Sequence, residues 1–237
     1  MTTRCAFFPN ESGDFFEEKL VEFKYENGLA PSQRFKSAAN LRSAANEQFP
    51  EQRGLEVSRY SDNPLGAALS AFNLLIDVSG RGQIAIENLF QSSKVFEKGG
   101  PYKDLLMVSP FDAKKDPRIK NSGNLLEFRF NDETWSLESG TDFYDFYYSR
   151  ALVQNPRLLQ ELLSYDYFTD IACNKTALGY QKGKTFSTQA RSCAIAVGLT
   201  RAKLLEQALS SQDSYWAALN RNFDQSDRQD SDQPTLF

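Results

Sequence analysis

Glu87, Phe90, Gln91 and Lys94 are the residues whose types and spacing best suit chemistry. On a helix they fall at i, i+3, i+4 and i+7 and share one face. Ile86, Leu89, Ser93 and Phe96 fall opposite and form a packing stripe. The front then offers a carboxylate, an amide and an ammonium beside a ring that can lie under a base or a sugar. The competing reading is a solvated face with an exposed ion pair, which adds almost nothing to stability.

Composition narrows the chemistry. None of the 237 residues is histidine, which removes Ser-His-Asp and Cys-His catalysis, histidine-ligated zinc and imidazole proton transfer. Any reaction must run on carboxylates, lysine, tyrosine, cysteine or backbone dipoles. Cys5, Cys173 and Cys193 are odd in number and lack CxxC spacing, so they read as reduced thiols with no metal or cofactor role. The 19 Phe, 10 Tyr and 2 Trp suit a well-filled core before they suit a binding surface. No run of 18 apolar residues and no secretory signal is present, so no membrane span is expected and the cytoplasm is the default location.

The net charge of −4 argues against a general nucleic-acid coat. Its distribution is uneven. No Asp or Glu occurs from Ile171 to Leu205, a stretch holding Lys175, Lys182, Lys184, Arg191, Arg201 and Lys203. A second cluster is Lys114, Lys115, Arg118 and Lys120. These are either phosphate-holding patches on an acidic molecule or solvated helix faces and a loop.

The elements that must position these groups follow from periodicity. One or two strands lie within residues 4–25, a helix over 31–49 with Phe35, Ala38, Leu41, Ala45 and Phe49 on one side, and a strand over 55–60. Leu65–Val78 is apolar. Helices are expected over 84–98, from Ser109-Pro110, over 142–154, from Asn155-Pro156 to 164, and over 188–210. Residues 124–130 alternate, with Leu126, Phe128 and Phe130 on one face, and turn at Asn131-Asp132 into 134–137 as a hairpin. The expected class is α+β: one mostly helical domain over 1–220 with a small antiparallel sheet. The polar, acidic stretch 221–237 reads as a disordered tail. Its end, Gln233-Pro234-Thr235-Leu236-Phe237, resembles the Gln-x-x-Leu-Phe peptides that dock on the bacterial sliding clamp.

Ser70-Ala71-Phe72-Asn73 followed by Glu87-x-x-Phe90-Gln91-x-x-Lys94 resembles the pattern of the NADAR (YbiA-like) superfamily, Ser-Asn-Phe and then Glu-His-x-x-Gln-x-x-Lys. Ala151-Leu152-x-x-Asn155-Pro156-x-Leu158 is similar to that family's Asn-Pro-x-Leu region. Phe168-Thr169-Asp170 and Gln189-Ala190-Arg191-Ser192 stand at its acidic residue and its late helix start. Gly99-Gly100-Pro101-Tyr102, residues 113–118, Phe128-Arg129-Phe130 and Trp135 resemble the branch paired with DarT-type DNA ADP-ribosyltransferase toxins, over about residues 15–210. Asn88 replaces the pattern's histidine, and the basic stretch 173–187 replaces a Trp-Gly. Residues up to about 60 read as an elaboration of this branch on a NADAR-like domain.

The resemblance implies an antitoxin hydrolase that removes ADP-ribose from guanine in DNA, releasing ADP-ribose and using no cofactor. Cleavage at an anomeric carbon needs negative charge near an oxocarbenium-like centre and a proton for the leaving nitrogen. In one mechanism Glu87 or Asp170 activates water while Lys94 stabilises or protonates the leaving group. In the other, neutral Lys94 attacks the sugar and an imine is hydrolysed. That route needs burial or a second cation, Lys114 or Arg191, to lower the pKa of Lys94. Ser70, Phe72, Asn73, Gln91 and Gln189 line the expected substrate site, Phe90 and Tyr102 stack, and Lys114, Lys115, Arg118 and the 175–191 segment hold phosphates. Alternatives are a YbiA-like N-glycosidase acting on a small nucleotide-like metabolite, a non-catalytic binder of ADP-ribose or toxin, and a structural interaction protein.

Overall fold

The computed structural model describes residues 1–28, 30–137, 142–173 and 188–219. The sliding-clamp peptide, the acidic tail and Lys175, Lys182 and Lys184 lie outside them.

Alternation in the first strands splits a sheet into two faces. Strands β1 (Thr2–Pro9) and β2 (Phe16–Phe23) form an antiparallel hairpin in register Thr2↔Phe23 to Pro9↔Phe16. Strand β3 (Gly54–Glu56) pairs in parallel with β9 (Tyr167–Thr169), which pairs antiparallel with β1, giving the order β2-β1-β9-β3. Cys5, Phe7, Leu55 and Phe168 enter the main core, while Ala6, Phe8, Val21, Phe23 and Tyr167 face the opposite way. That second face is covered by helix α1 (Pro31–Gln48) through Ala38, Leu41 and Ala45. The first face is covered by helix α8 (Gln189–Arg201). The two are in close contact because position 198 has no side chain: a Cβ on Gly198 would stand 2.3 Å from the Asn10 carbonyl oxygen and 2.6 Å from that of Phe15.

The remaining strands form two smaller antiparallel sheets. One is β4 (Leu75–Val78) with β5 (Gly82–Ala85); the other, in order β6-β7-β8, joins Lys94–Phe96, Leu125–Phe130 and Glu133–Ser136. Helix α6 (Asp142–Gln154) packs its aromatic residues against them. Phe143 stacks on Phe128 at 4.7 Å and Phe146 lies 5.0 Å from Trp135, the centre of a cluster closed by Tyr215 and Trp216. The class is α+β, as expected, but among the described residues the sheet component is three small sheets, one of which contains a parallel pair.

Several boundaries differ from the periodic reading, each for a local reason. The 84–98 helix shrinks to α3 (Ile86–Ser92) between β5 and β6. The hydroxyls of Ser92 and Ser93 donate to the Leu89 carbonyl at 3.0 and 2.7 Å, and Arg129 N–H claims the Ser93 carbonyl, so the chain leaves the helix and pairs with β7. The 188–210 helix stops at Arg201 in a Schellman motif: Lys203 is left-handed at φ 61°, Leu204 N–H donates to Leu199 and Lys203 N–H to Thr200. A short helix over Leu205–Ala208 follows. Strand 55–60 stops at Glu56, since Ser58 begins a turn closed by the Ser61 N–H. Leu126 is exposed while Phe128 and Phe130 are buried, because a bulge opposite Val95 and Phe96 leaves Leu126 as the extra residue. Phe35 is turned out of the apolar side of α1 and is 46% exposed.

Leu41, fully buried under α1, and half-exposed Phe35 therefore have different costs. Leu41→Ala is expected to lower unfolding free energy by about 2–5 kcal/mol, and Phe35→Ala by less than about 1 kcal/mol, as read from urea titration of both variants.

Candidate active site

A cleft of about 340 Å³ opens where α3, the 70–72 turn, the end of β9 and the start of α8 meet. Backbone bonds hold the parts together. Glu87 N–H donates to the Ala71 carbonyl at 2.9 Å and Ile86 N–H to that of Leu74 at 3.0 Å, fixing the turn against the start of α3. The side chain of Gln189 reaches across: its oxygen accepts from Ala71 N–H at 2.5 Å, and its nitrogen donates to the Val57 carbonyl and to Asp170, both at 3.1 Å.

The wall carries a polar chain. Gln91 Nε2 donates to Glu87 Oε1 at 2.8 Å, and Lys94 Nζ donates to Gln91 Oε1 at 2.9 Å. Lys114, on helix α4 (Pro110–Lys115), sets its ammonium 3.5 Å from the other Glu87 oxygen. Glu87 and Gln91 are buried, so the solvated-face reading of this helix is wrong: the whole of α3 is inside the protein. Lys94 itself is on β6, not on the helix. It does not line the cleft but stands beside two residues that do, 2.9 Å from Gln91 and 4.3 Å from the Phe90 ring centre. Burial pushes its pKa down to about 8; Glu87 opposes the fall and Lys114 adds to it. Lys114 is thus the second cation that was expected beside Lys94.

Asp170 is buried at the other side of the cleft. It accepts from Ala172 N–H at 2.8 Å, Thr188 Oγ1 at 2.9 Å and Gln189 at 3.1 Å, yet burial still raises its pKa. Ser70 and Phe72 also line the cleft, and the Phe72 ring lies between Arg59 at 4.8 Å and Lys114 at 5.0 Å. Phe90 presents only an edge: it is stacked 5.3 Å from Phe128 and set at an angle 5.0 Å from Tyr144.

Five expected substrate contacts, Asn73, Tyr102, Lys115, Arg118 and Arg191, fall elsewhere. Asn73 is exposed and donates to the Ala67 carbonyl. Tyr102 bonds Ser122 at 2.5 Å and sits under Arg118, whose guanidinium is held by Asp104 and Asp116. Lys115 lies over Phe111 at 3.9 Å. Arg191 is committed to a buried ion pair with Asp145, so it is neither a phosphate contact nor the cation acting on Lys94. The partners of Tyr102 and Arg191 come from distant parts of the chain, whereas Lys115 meets Phe111 one turn away on its own helix.

The structure adds residues that the motifs did not single out. Arg34, Arg59 and Tyr60 stand at the cleft rim, and Arg59 Nη2 donates to the Tyr60 hydroxyl at 2.7 Å. The sequence reading placed Arg59 and Tyr60 inside a strand over 55–60, whereas the strand ends at Glu56 and both stand in the loop that follows, a usual place for functional side chains. Tyr144 is 5% exposed and lines the cleft. Nothing among the described residues hydrogen-bonds its hydroxyl, and burial raises its pKa far enough to keep it protonated. Glu56 lies behind Asp170 and accepts from Thr169 Oγ1 at 2.6 Å and Ile171 N–H at 2.8 Å. Burial, and then the charge of Asp170, raises its pKa to about 7.

The folded state therefore holds the Glu56 proton more tightly than the unfolded chain does. This contribution is present at low pH and lost as pH climbs from about 4.5 through 7. Glu56→Gln should raise the melting temperature at pH 8 relative to the parent and bring no such gain at pH 4.5, as followed by circular dichroism.

No curated protein matches the chain at a significant level. A family described as DarT1-associated NADAR antitoxin matches residues 2–229, and with nearly the whole chain covered, the protein belongs to that family.

Proposed function

We propose that this antitoxin is an ADP-ribosyl glycohydrolase that frees guanine bases in DNA from ADP-ribose left by the DarT1-type partner toxin. The observation that carries this reading is the linked set Lys114–Glu87–Gln91–Lys94 along a cleft that also holds Asp170 and the Tyr144 hydroxyl. Cations and rings at the rim, Arg34, Arg59, Lys114, Phe72 and Tyr60, suit a pyrophosphate and a base. No helix among the described residues is long and apolar enough to cross a membrane.

Hydrolysis forms a bond from water oxygen to the anomeric carbon and breaks the bond from that carbon to the guanine nitrogen. The electron pair goes to nitrogen, which takes up a proton. Glu87 is the better base because Asp170 is already engaged by three donors, whereas Glu87 keeps one oxygen facing Lys114 at 3.5 Å. Anionic Glu87 and Asp170 also favour the positive charge that develops on the sugar. The Tyr144 O–H is an uncommitted donor on the wall and serves the ribose or the departing base. Lys94 bonds the Gln91 carbonyl and acts through it, holding the amide that orients Glu87. Attack by Lys94 would need its amine to leave Gln91 and reach past Phe90, so the water route is preferred.

The direct test is ADP-ribose release from an ADP-ribosylated guanine oligonucleotide, with phosphorylated pyrimidine and nicotinamide metabolites as competing substrates. Release from the metabolites alone would replace this reading with a small-molecule N-glycosidase. Glu87→Gln is expected to cut kcat about 10²–10⁴-fold and to abolish protection against the toxin in cells; full protection by this variant would mean a non-catalytic binder.

The role of Lys94 is separable by pH. With Lys94 acting as an ammonium, kcat falls as pH rises through about 8; with a lysine nucleophile it rises over the same range. Borohydride added during turnover should leave no sugar adduct on Lys94, and an adduct would establish the imine route.

A further inference from the structure

Beside the cleft lies a second hollow of about 290 Å³ between α1 and the 60–62 turn. Tyr60 lines both spaces, and consecutive residues of α1 divide between them: Arg34 faces the cleft, Phe35 and Lys36 the hollow. Ala38 and Ala39 give it an apolar wall. Phe35 meets Tyr60 edge to face at 5.5 Å and leaves 46% of its surface open. The acidic groups here are engaged. Asp62 pairs with Arg42, and the Glu56 carboxylate accepts from Thr169 and Ile171.

We propose that this hollow seats the base of the nucleotide next to the modified guanine, in a single DNA strand that runs from the cleft along α1. The inference rests on the hydrolase reading above and names how its polymeric substrate is gripped. Three features favour this occupant. The hollow adjoins the cleft, with Tyr60 as the shared wall, so a chain leaving the cleft over Tyr60 meets it next. Its rings and alanine wall receive a flat apolar face, while Arg34, Arg59 and Lys36 stand where a phosphate backbone would pass. A base can enter only when it is unpaired, which selects a single strand over a duplex.

The double variant Phe35→Ala/Lys36→Ala touches neither Glu87 nor the residues bonded to it. On an ADP-ribosylated single-stranded oligonucleotide it should raise KM about tenfold with kcat little changed. On the ADP-ribosylated mononucleotide, which has no neighbouring base, both constants should equal those of the parent. Fluorescence anisotropy with the unmodified oligonucleotide should show the same weakening, and a shallower salt dependence from the lost Lys36 contact. Equal KM on the oligonucleotide, or equal loss on both substrates, would overturn the assignment, as would a change of oligomeric state with unaltered DNA binding. The anisotropy arm needs no catalysis. If the parent hydrolyses neither substrate while the variant still loses DNA affinity, the hydrolase reading fails and the DNA groove stands.

Discussion

The amide of Gln189 joins segments that the chain order keeps far apart. One side chain accepts from the turn at residue 71, donates to residue 57 just past β3, and donates to Asp170 beyond β9. A buried amide is costly unless its donors and acceptor are satisfied, so these bonds fix where the segments stand relative to one another. The turn at residue 71 in turn receives the first N–H groups of α3, which carries Glu87 and Gln91. The cleft thus exists where the sheet, the central helices and the 70–72 turn are tied at one point. Gln189 lines the cleft, as expected of a substrate-site residue, but its amide nitrogen already donates to Val57 and Asp170.

How much of this was visible in the sequence depended on the separation between partners. Glu87 and Gln91 are four residues apart on a real helix, and their hydrogen bond follows directly from that spacing. Lys94 was placed on the same helix and is instead on a strand, yet its amine still reaches Gln91, because three residues of chain suffice in either geometry. Arg191 and Tyr102 were misread for the converse reason. Asp145 is 46 positions from Arg191 and Ser122 is 20 from Tyr102, and no local pattern names such partners. Tyr144 was hidden differently: it stands in the run Phe143–Tyr148, where aromatic content alone reads as core, and only the fold shows its hydroxyl meeting a cleft. The positions of helix ends were obscured by serine hydroxyls at 92 and 93 and by the left-handed Lys203, which apolar periodicity does not register.

The lack of histidine gives the electrostatics their character. Groups that would ordinarily be fully charged at neutral pH are brought toward it by burial: the Lys94 ammonium down to about 8 and the Glu56 carboxyl up to about 7. Lys114 connects the two sides of this arrangement. It favours ionised Asp170 and disfavours a second ammonium at Lys94, while its own ammonium pairs with Glu87. It is also 53% exposed, so a bound anion would compete directly for its charge.

Helix α8 has its sensitive points at opposite ends. Near its C-terminus Gly198 lies against the carbonyls of Asn10 and Phe15 with no room for a methyl group, and at its N-terminus stands Gln189. Nine residues of helix span about 13.5 Å and bend little over that length. A crowding change at the far end would act as on a rigid lever, tilting the knot beside the cleft without touching any group that meets substrate. Drift at the hairpin turn between β1 and β2 would reach Asp170 by this route, so this remote surface bears on the shape of the cleft as well as on folding.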